Sequence, residues 1–239
     1  MSGYWEEGEG GGKRMIYSEN VLLCLVIPLL ITFFFLQGMA RKVMESFVFG
    51  MICCLMSACI SGFAKVVSGM SAEDTAVYIS PLIEEVMKFL PVLFILYVLE
   101  ADDNELLVSS IAIGAGFATF ENICYLMSSG EVKMSFVLVR GLAVGIMHIA
   151  SIVILSGTII IVRKYGAVSL PALVGALSMS STLHALYNLL VSKPGLSSKI
   201  GYGMPFVSSL LLLTVLRRSI VIDEKIPEEN ERYKIYKSN

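Results

Sequence analysis

Seven apolar stretches, each close to 20 residues long, restrict what this sequence can fold into. A helix rises about 1.5 Å per residue, so about 20 apolar residues cross the roughly 30 Å hydrocarbon core of a bilayer. Backbone polar groups in lipid must be hydrogen-bonded within their own segment, so the stretches predict seven transmembrane helices. They lie at Ile16–Leu36, Val43–Val67, Ala76–Leu99, Leu106–Ser128, Phe136–Val162, Val168–Val191 and Ile200–Leu216.

The composition argues against a soluble protein. The 239 residues are 56% hydrophobic and 16% charged, whereas soluble domains are typically about 45–50% apolar and about 25% charged. A net charge of −2 is too small to indicate a nucleic-acid partner. The sequence therefore predicts an all-α, polytopic membrane bundle over residues 16–218. A disordered N-terminal tail (1–15) and a charged cytoplasmic tail (219–239) are expected to flank it.

Lysines and arginines in the short loops predict the orientation of the bundle. One side carries Arg41, Lys42, Arg163, Lys164, Arg217 and Arg218, followed by the basic residues of the C-terminal tail. The other side carries Lys13, Arg14, Lys133, Lys193 and Lys199, with Lys65 near a helix end. Cytoplasmic loops are the richer in Lys and Arg, so the N-terminus is predicted outside and the C-terminus inside.

The third stretch contains charged residues where lipid is expected. Its centre reads PLIEEVMKFLP, with Glu84, Glu85 and Lys88 inside an apolar run. Each charge at the bilayer centre costs about 2.5–3.5 kcal/mol on insertion scales, and such residues usually belong to functional sites. On a helix the lysine can reach either carboxylate, so an ion pair that only helps helices pack is the alternative.

Further polar groups fall at the same predicted depth as these charges. The later stretches carry Glu121, Asn122, Arg140, His148, His184 and Asn188. Glu84, Glu121 and His184 lie about seven to eight residues from the outer ends of their stretches. His148 lies about twelve residues in, so at about 1.5 Å per residue all four fall within about 8 Å in depth. Four helices therefore bring carboxylates and imidazoles to one level in the outer half of the bilayer.

Two chemistries suit carboxylates next to imidazoles in a dry bundle. In the first, Glu121, His148 and His184 hold a zinc ion with one open position, and Glu84 or Glu85 is the general base. In the second, no metal is present, and Glu84 draws a proton from water with the help of an imidazole. The convergence of so many ligand-type groups favours the divalent metal.

The remaining polar residues are predicted to support this chemistry. Asn188, one turn from His184, can donate to a developing oxyanion in either scheme. Lys88 and Arg140 are expected to keep the carboxylates ionised and oriented, and Asn122 to cap or bridge helices. The packing alternatives are a hydrogen-bonded His184–Asn188 pair between helices and an Arg140 that reaches the outer interface.

Four motifs occur in order on successive stretches: E-E-x-x-K at Glu84–Lys88, F-x-x-x-E-N at Phe117–Asn122, R-x7-H at Arg140–His148 and H-x-x-x-N at His184–Asn188. Together they resemble the PrsW family of intramembrane proteases. More distantly they are similar to the CAAX-processing and bacteriocin-protection proteases. In the CAAX relatives the second motif ends in histidine, where this chain has Glu121, so the roles of individual residues stay open.

This resemblance, which covers about Ala76 to Val191, implies a multi-pass protease of the cell membrane. By motif match its essential residues are Glu84, Glu85, Glu121, His148, His184 and Asn188. It also implies a membrane-anchored protein substrate, such as an anti-sigma factor, cut near the outer face. The alternatives are a proton- or ion-coupled transporter that uses the same buried residues and a non-catalytic scaffold. Carriers usually show paired repeats, and none is visible in this sequence.

Overall fold

The computed structural model describes residues 4–7, 13–16, 18–129, 133–166 and 168–215. The fold is helical, as predicted, apart from a short antiparallel hairpin in which β1 (Tyr4–Glu7) pairs with β2 (Lys13–Ile16). The helices are α1 (Ser18–Phe33), α2 (Gly38–Ser68), α3 (Ala72–Asp74), α4 (Ser80–Tyr97), α5 (Asp103–Ser129), α6 (Met134–Tyr165), α7 (Leu170–Ser192) and α8 (Leu196–Val215). The predicted cytoplasmic tail lies outside the described residues.

Each of the seven apolar stretches coincides with a helical segment. Four helices are long and apolar enough to cross a membrane, namely α2, α5, α6 and α8. Of the other long helices, α1 has 16 residues, α4 carries Glu84, Glu85 and Lys88, and α7 carries His184 and Asn188. The structure therefore confirms a helical bundle with several membrane spans. The number seven, the orientation and the division into bundle and tails stay predictions.

Five helices form a ring around the interior of the bundle. Going round the ring, α2 packs on α5, α5 on α6, α6 on α7, α7 on α4, and α4 on α2. Helix α1 packs on α2, and α8 approaches α7, where a Cβ on Gly201 would meet Leu190 and Val191. One part of the interior is an apolar core that includes Val92 of α4 and Ile113 of α5.

The closest approach in the ring is the crossing of α2 and α5. A Cβ on Gly116 would lie 1.9 Å from the carbonyl oxygen of Phe47, and one on Gly50 would lie 2.1 Å from that of Ile113. Only glycine leaves room for two helix backbones at this separation, as small residues commonly do between membrane helices. The crossing fixes the position of Phe117 relative to α2, because Phe117 directly follows Gly116. Its ring packs against that of His148 at a centroid distance of 4.7 Å.

Helix α4 has an unusual start. Ser71 caps α3 by accepting a hydrogen bond from the backbone N–H of Asp74, and the chain then passes through a π-helical turn, Thr75–Ile79. Pro81 stands in the first turn of α4, where its missing N–H has no helical partner to lose. Irregular π-turns are often found beside functional sites, and this one directly precedes the paired glutamates.

Candidate active site

The structure brings eight of the predicted polar residues together inside the ring, while the ninth, Asn188, contacts the backbone of Ala76. Glu84, Glu85 and Lys88 come from α4, Glu121 and Asn122 from α5, Arg140 and His148 from α6, and His184 and Asn188 from α7. The two imidazole rings meet edge to face, with 5.0 Å between their centroids. Four helices therefore contribute to one cluster, which we call the Glu/His cluster.

Glu85 is fully buried, and hydrogen bonds engage both of its carboxylate oxygens. Oε1 accepts from Nζ of Lys88 at 2.6 Å and from Nδ1 of His184 at 2.7 Å. Oε2 accepts from the hydroxyl of Ser180 at 2.6 Å. A carboxylate held in this way orients the imidazole and leaves its Nε2 free, as outer carboxylates do for metal-binding histidines. Glu85 is thus placed to position His184, and its predicted role as a general base stays a prediction.

Lys88 is also fully buried and has a partner for each of its three hydrogens. Besides Glu85, its Nζ lies 2.8 Å from Oγ of Ser151 and 3.2 Å from Nδ1 of His148. An ammonium group only donates, so Nδ1 of His148 is the acceptor of this contact. From this network we assign the proton of His148 to Nε2, which faces a carboxylate oxygen of Glu121.

Glu121 is held from the other side by Arg140. One guanidinium nitrogen lies 3.2 Å from Oε1 of Glu121, another donates to the side-chain oxygen of Asn122, and the group stacks 3.5 Å above the ring of Tyr125. Arg140 is largely buried, with 14% of its side chain exposed. It therefore contacts Glu121 within the bundle, and its role as a supporting residue stays a prediction.

Two glutamates connect the buried cluster to the surroundings. The side chains of Glu84 and Glu121 are 17% and 31% exposed, whereas those of His148 and His184 are 0% and 2% exposed. Oε2 of Glu84 lies 3.6 Å from Nε2 of His184, the nitrogen that Glu85 leaves free. The side of the cluster on which Glu84 and Glu121 lie is thus its less buried side.

The donor set of the cluster fits a divalent metal. Glu84, His148 and His184 each offer a ligand atom, and these atoms lie within 4.8 Å of one another. Zinc–ligand bonds of about 2.0–2.2 Å need only a small contraction of this group. His148 would have to give up its Nε2 proton to offer that nitrogen as a ligand, and release of protons is usual when histidines bind metals. The sequence pattern favoured Glu121 as the third ligand, whereas the close group contains Glu84 and leaves Glu121 beside His148.

Asn188 lies at the edge of the cluster. Its side-chain nitrogen donates to the carbonyl oxygen of Ala76 at 2.9 Å, which ties α7 to the π-helical turn before α4. This bond uses one of the two amide hydrogens. The role of oxyanion donor stays a prediction.

Two serines of the network were not predicted from the sequence. Ser151 and Ser180 are fully buried and contact Lys88 and Glu85 directly. The available signal was their spacing, because Ser151 follows His148 by about one turn and Ser180 precedes His184 by one turn. Serine is common in membrane helices, so spacing alone could not separate these two from the other serines.

Comparison with known protein families accounts for most of the bundle. Residues 38–216 match the family described as PrsW family intramembrane metalloprotease, and this range contains every residue of the Glu/His cluster. No curated protein and no solved structure matches the chain. The resemblance seen in the four motifs is thereby confirmed over a longer range than the motifs cover. The chain belongs to the PrsW family of intramembrane metalloproteases, and it is a multi-pass membrane peptidase.

Proposed function

We propose that the Glu/His cluster hydrolyses a peptide bond of a membrane-anchored protein. The observation that carries this proposal is the buried group of Glu84, His148 and His184, whose ligand atoms lie within 4.8 Å inside the helix ring. Membership of a peptidase family favours proteolysis over the transport function that the buried titratable residues left open.

His148, His184 and Glu84 would hold the metal, for which we propose zinc. Imidazole nitrogens and a carboxylate oxygen are ligands that zinc accepts, and three protein ligands are typical of catalytic zinc sites. When bound, zinc would supply a Lewis acid that polarises the scissile carbonyl group. The grouping of Glu84 with both histidines, whose ligand atoms lie within 4.8 Å of one another, supports Glu84 as the third ligand.

Glu121 would then act as the general base. Its side chain is the more exposed of the two, and Arg140 fixes one oxygen while the other faces the cluster. A carboxylate in this position can take a proton from the attacking water and return it to the leaving amine. Asn188 would donate its remaining amide hydrogen to the carbonyl oxygen as negative charge develops there.

The substrate would be cut near the outer face of the membrane. The Lys and Arg distribution supports an outside N-terminus, and this orientation places the cluster in the outer half of the bilayer. A membrane-anchored regulator such as an anti-sigma factor suits that position. The family supports a protein substrate, and the more specific assignment is part of this proposal.

Metal content and cleavage measured on the same variants test the roles. The full-length protein is reconstituted in liposomes with a panel of single-span reporter proteins, and bound metal is measured by mass spectrometry. We expect about one zinc ion per chain in the wild type. Glu84→Gln and His184→Ala should lose both metal and cleavage, whereas Glu121→Gln should keep the metal and cleave about 10²–10⁴-fold more slowly.

Two other results would change this proposal. If Glu121→Gln lost the metal and Glu84→Gln retained it, the two glutamates would exchange roles. If the wild type cleaved its reporter at full rate with no metal bound, the metal scheme would be wrong. Glu45→Gln is a suitable control, because Glu45 is exposed on α2 and pairs with Arg41 outside the cluster.

A further inference from the structure

We propose that Ser180 and Ser151 are positioning residues that lock the two metal-binding histidines in place. They do so through Glu85 and Lys88, the ion pair at the centre of the cluster. This inference rests on the proposed function, since it concerns how the chain prepares His148 and His184 to bind a metal.

Ser180 reaches His184 through Glu85. Its hydroxyl lies 2.6 Å from Oε2 of Glu85, and the other oxygen of the same carboxylate accepts from Nδ1 of His184 at 2.7 Å. The hydroxyl also lies 2.9 Å from the carbonyl oxygen of Ser151, but its single hydrogen serves one acceptor at a time. The shorter contact is to the charged oxygen, where hydrogen bonds are strongest.

Ser151 reaches His148 through Lys88. Its hydroxyl accepts from Nζ of Lys88 at 2.8 Å and donates to the carbonyl oxygen of His148 at 3.0 Å. Lys88 in turn contacts Nδ1 of His148 at 3.2 Å. The ammonium group of Lys88 therefore has three partners, Glu85, Ser151 and His148, and these contacts fix its orientation.

Burial makes these two hydroxyl groups important. Glu85, Lys88, Ser151 and Ser180 are each fully buried, so water does not replace a missing partner. A buried ion pair is favourable only when hydrogen bonds satisfy its remaining lone pairs and protons. Without the Ser180 hydroxyl, Oε2 of Glu85 has no other hydrogen-bond partner among the described residues, and the carboxylate can rotate away from His184.

Cobalt binding to the full-length protein in detergent provides the test. Co²⁺ replaces zinc at such sites, and its affinity is measured by competition with a chromogenic chelator. Its visible absorption bands report the geometry of the ligands. We expect Ser180→Ala and Ser151→Ala to weaken Co²⁺ binding about 10–100-fold and to alter the absorption bands. A merely structural role would lower the thermal midpoint and leave the bands of the folded protein unchanged.

The chain offers matched controls on the same two helices. Ser181 neighbours Ser180, and its buried hydroxyl has no hydrogen-bond partner in the described part of the chain. Ser156 is fully buried on α6, and among the described residues its hydroxyl donates to the carbonyl oxygen of Ile152 in its own helix. Ser181→Ala and Ser156→Ala should bind Co²⁺ as the wild type does. Ser180→Cys fills the space of the hydroxyl with a somewhat larger group that is a weak donor, so it should resemble Ser180→Ala if the hydrogen bond matters.

The outcomes separate this inference from the proposed function. If the wild type binds Co²⁺ and Ser180→Ala binds it equally well with unchanged bands, the positioning role is wrong while the metal site stands. The positioning role is also wrong if Ser180→Cys behaves as the wild type, because packing rather than hydrogen bonding would then be responsible. If the wild type binds no Co²⁺, the proposed metal site itself fails, and the positioning role fails with it.

Discussion

Replacement of Gly116 by alanine should damage both the fold and the active site. The added Cβ would lie 1.9 Å from the carbonyl oxygen of Phe47, whereas Cβ atoms essentially never approach other atoms within 3.0 Å. Helices α2 and α5 must therefore separate by about 1 Å or more. Forcing extra volume into a tight contact costs about 1–3 kcal/mol, which at roughly 2–4 °C per kcal/mol lowers the thermal midpoint by about 2–12 °C.

The catalytic effect of this change follows from the position of Gly116 on α5. Glu121 stands five residues further along the same helix, and Phe117 packs on the ring of His148. A shift of about 1 Å in a catalytic group can reduce the rate about 10²-fold. The thermal midpoint is measured on protein in detergent by circular dichroism during heating, and the catalytic rate is measured by cleavage of a membrane-anchored reporter.

Gly62→Ala is the matched control for this experiment. Gly62 is also inside a long helix, α2, but a Cβ there would have no atom within 4 Å among the described residues. Alanine in a helix interior is favoured over glycine by about 0.5–1 kcal/mol, so this variant should be equal to the wild type or more stable. A Gly116→Ala protein that melts and cleaves as Gly62→Ala does would refute the reasoning from the helix crossing.

Four further results are expected. Lys88→Met leaves the carboxylate of Glu85 buried without its charge partner, which should lower the free energy of unfolding by about 3–5 kcal/mol. The double variant Lys88→Met/Glu85→Gln removes that unpaired charge, so it should melt at a higher temperature than Lys88→Met alone. Arg140→Lys keeps the charge but loses the forked contact, and its cleavage rate should fall about 10-fold or more while the helical content is unchanged. Removal of the metal with a chelator should stop cleavage, and added zinc should restore it. The predicted orientation puts Lys133 outside the membrane and Tyr165 on the cytoplasmic side. In a cysteine-free background, Lys133→Cys should therefore react with a membrane-impermeant maleimide in intact cells, whereas Tyr165→Cys should react only after permeabilisation.

The helical segments could be predicted from the sequence because bilayer thickness, rather than tertiary packing, sets their length. The apolar stretch at Phe136–Val162, for example, lies within α6, Met134–Tyr165. The π-helical turn at Thr75–Ile79 could not be predicted, since its residues form an ordinary apolar pattern. The close crossing at Gly50 and Gly116 was equally hidden, because glycines are frequent in membrane helices and their partners are set by the packing of distant segments.

The composition of the Glu/His cluster was largely visible in the sequence, because charged residues in lipid are costly and seldom incidental. The distribution of roles was not. Glu84 and Glu85 are adjacent, so on a helix they point about 100° apart, and only the structure tells which one contacts Ser180 and which one reaches the exposed side. Similarly, the predicted depth of Glu121 indicated that it lies near His148. It did not give the interatomic distances that are needed to choose between a metal ligand and a general base.

The pairing of charges explains how one helix bundle tolerates so many ionisable groups. Glu85 and Lys88 compensate each other inside the ring, and Arg140 compensates Glu121 nearer its surface. Glu84 is the remaining carboxylate of the cluster. The charge of Lys88 also acts on it, but the ammonium group of Lys88 pairs with Glu85, and Glu84 instead has the imidazole of His184 at 3.6 Å. A carboxylate whose neighbouring cation is already paired with another carboxylate is a group whose charge a bound metal would balance. This charge balance agrees with the proposal that Glu84, rather than Glu121, would bind the metal.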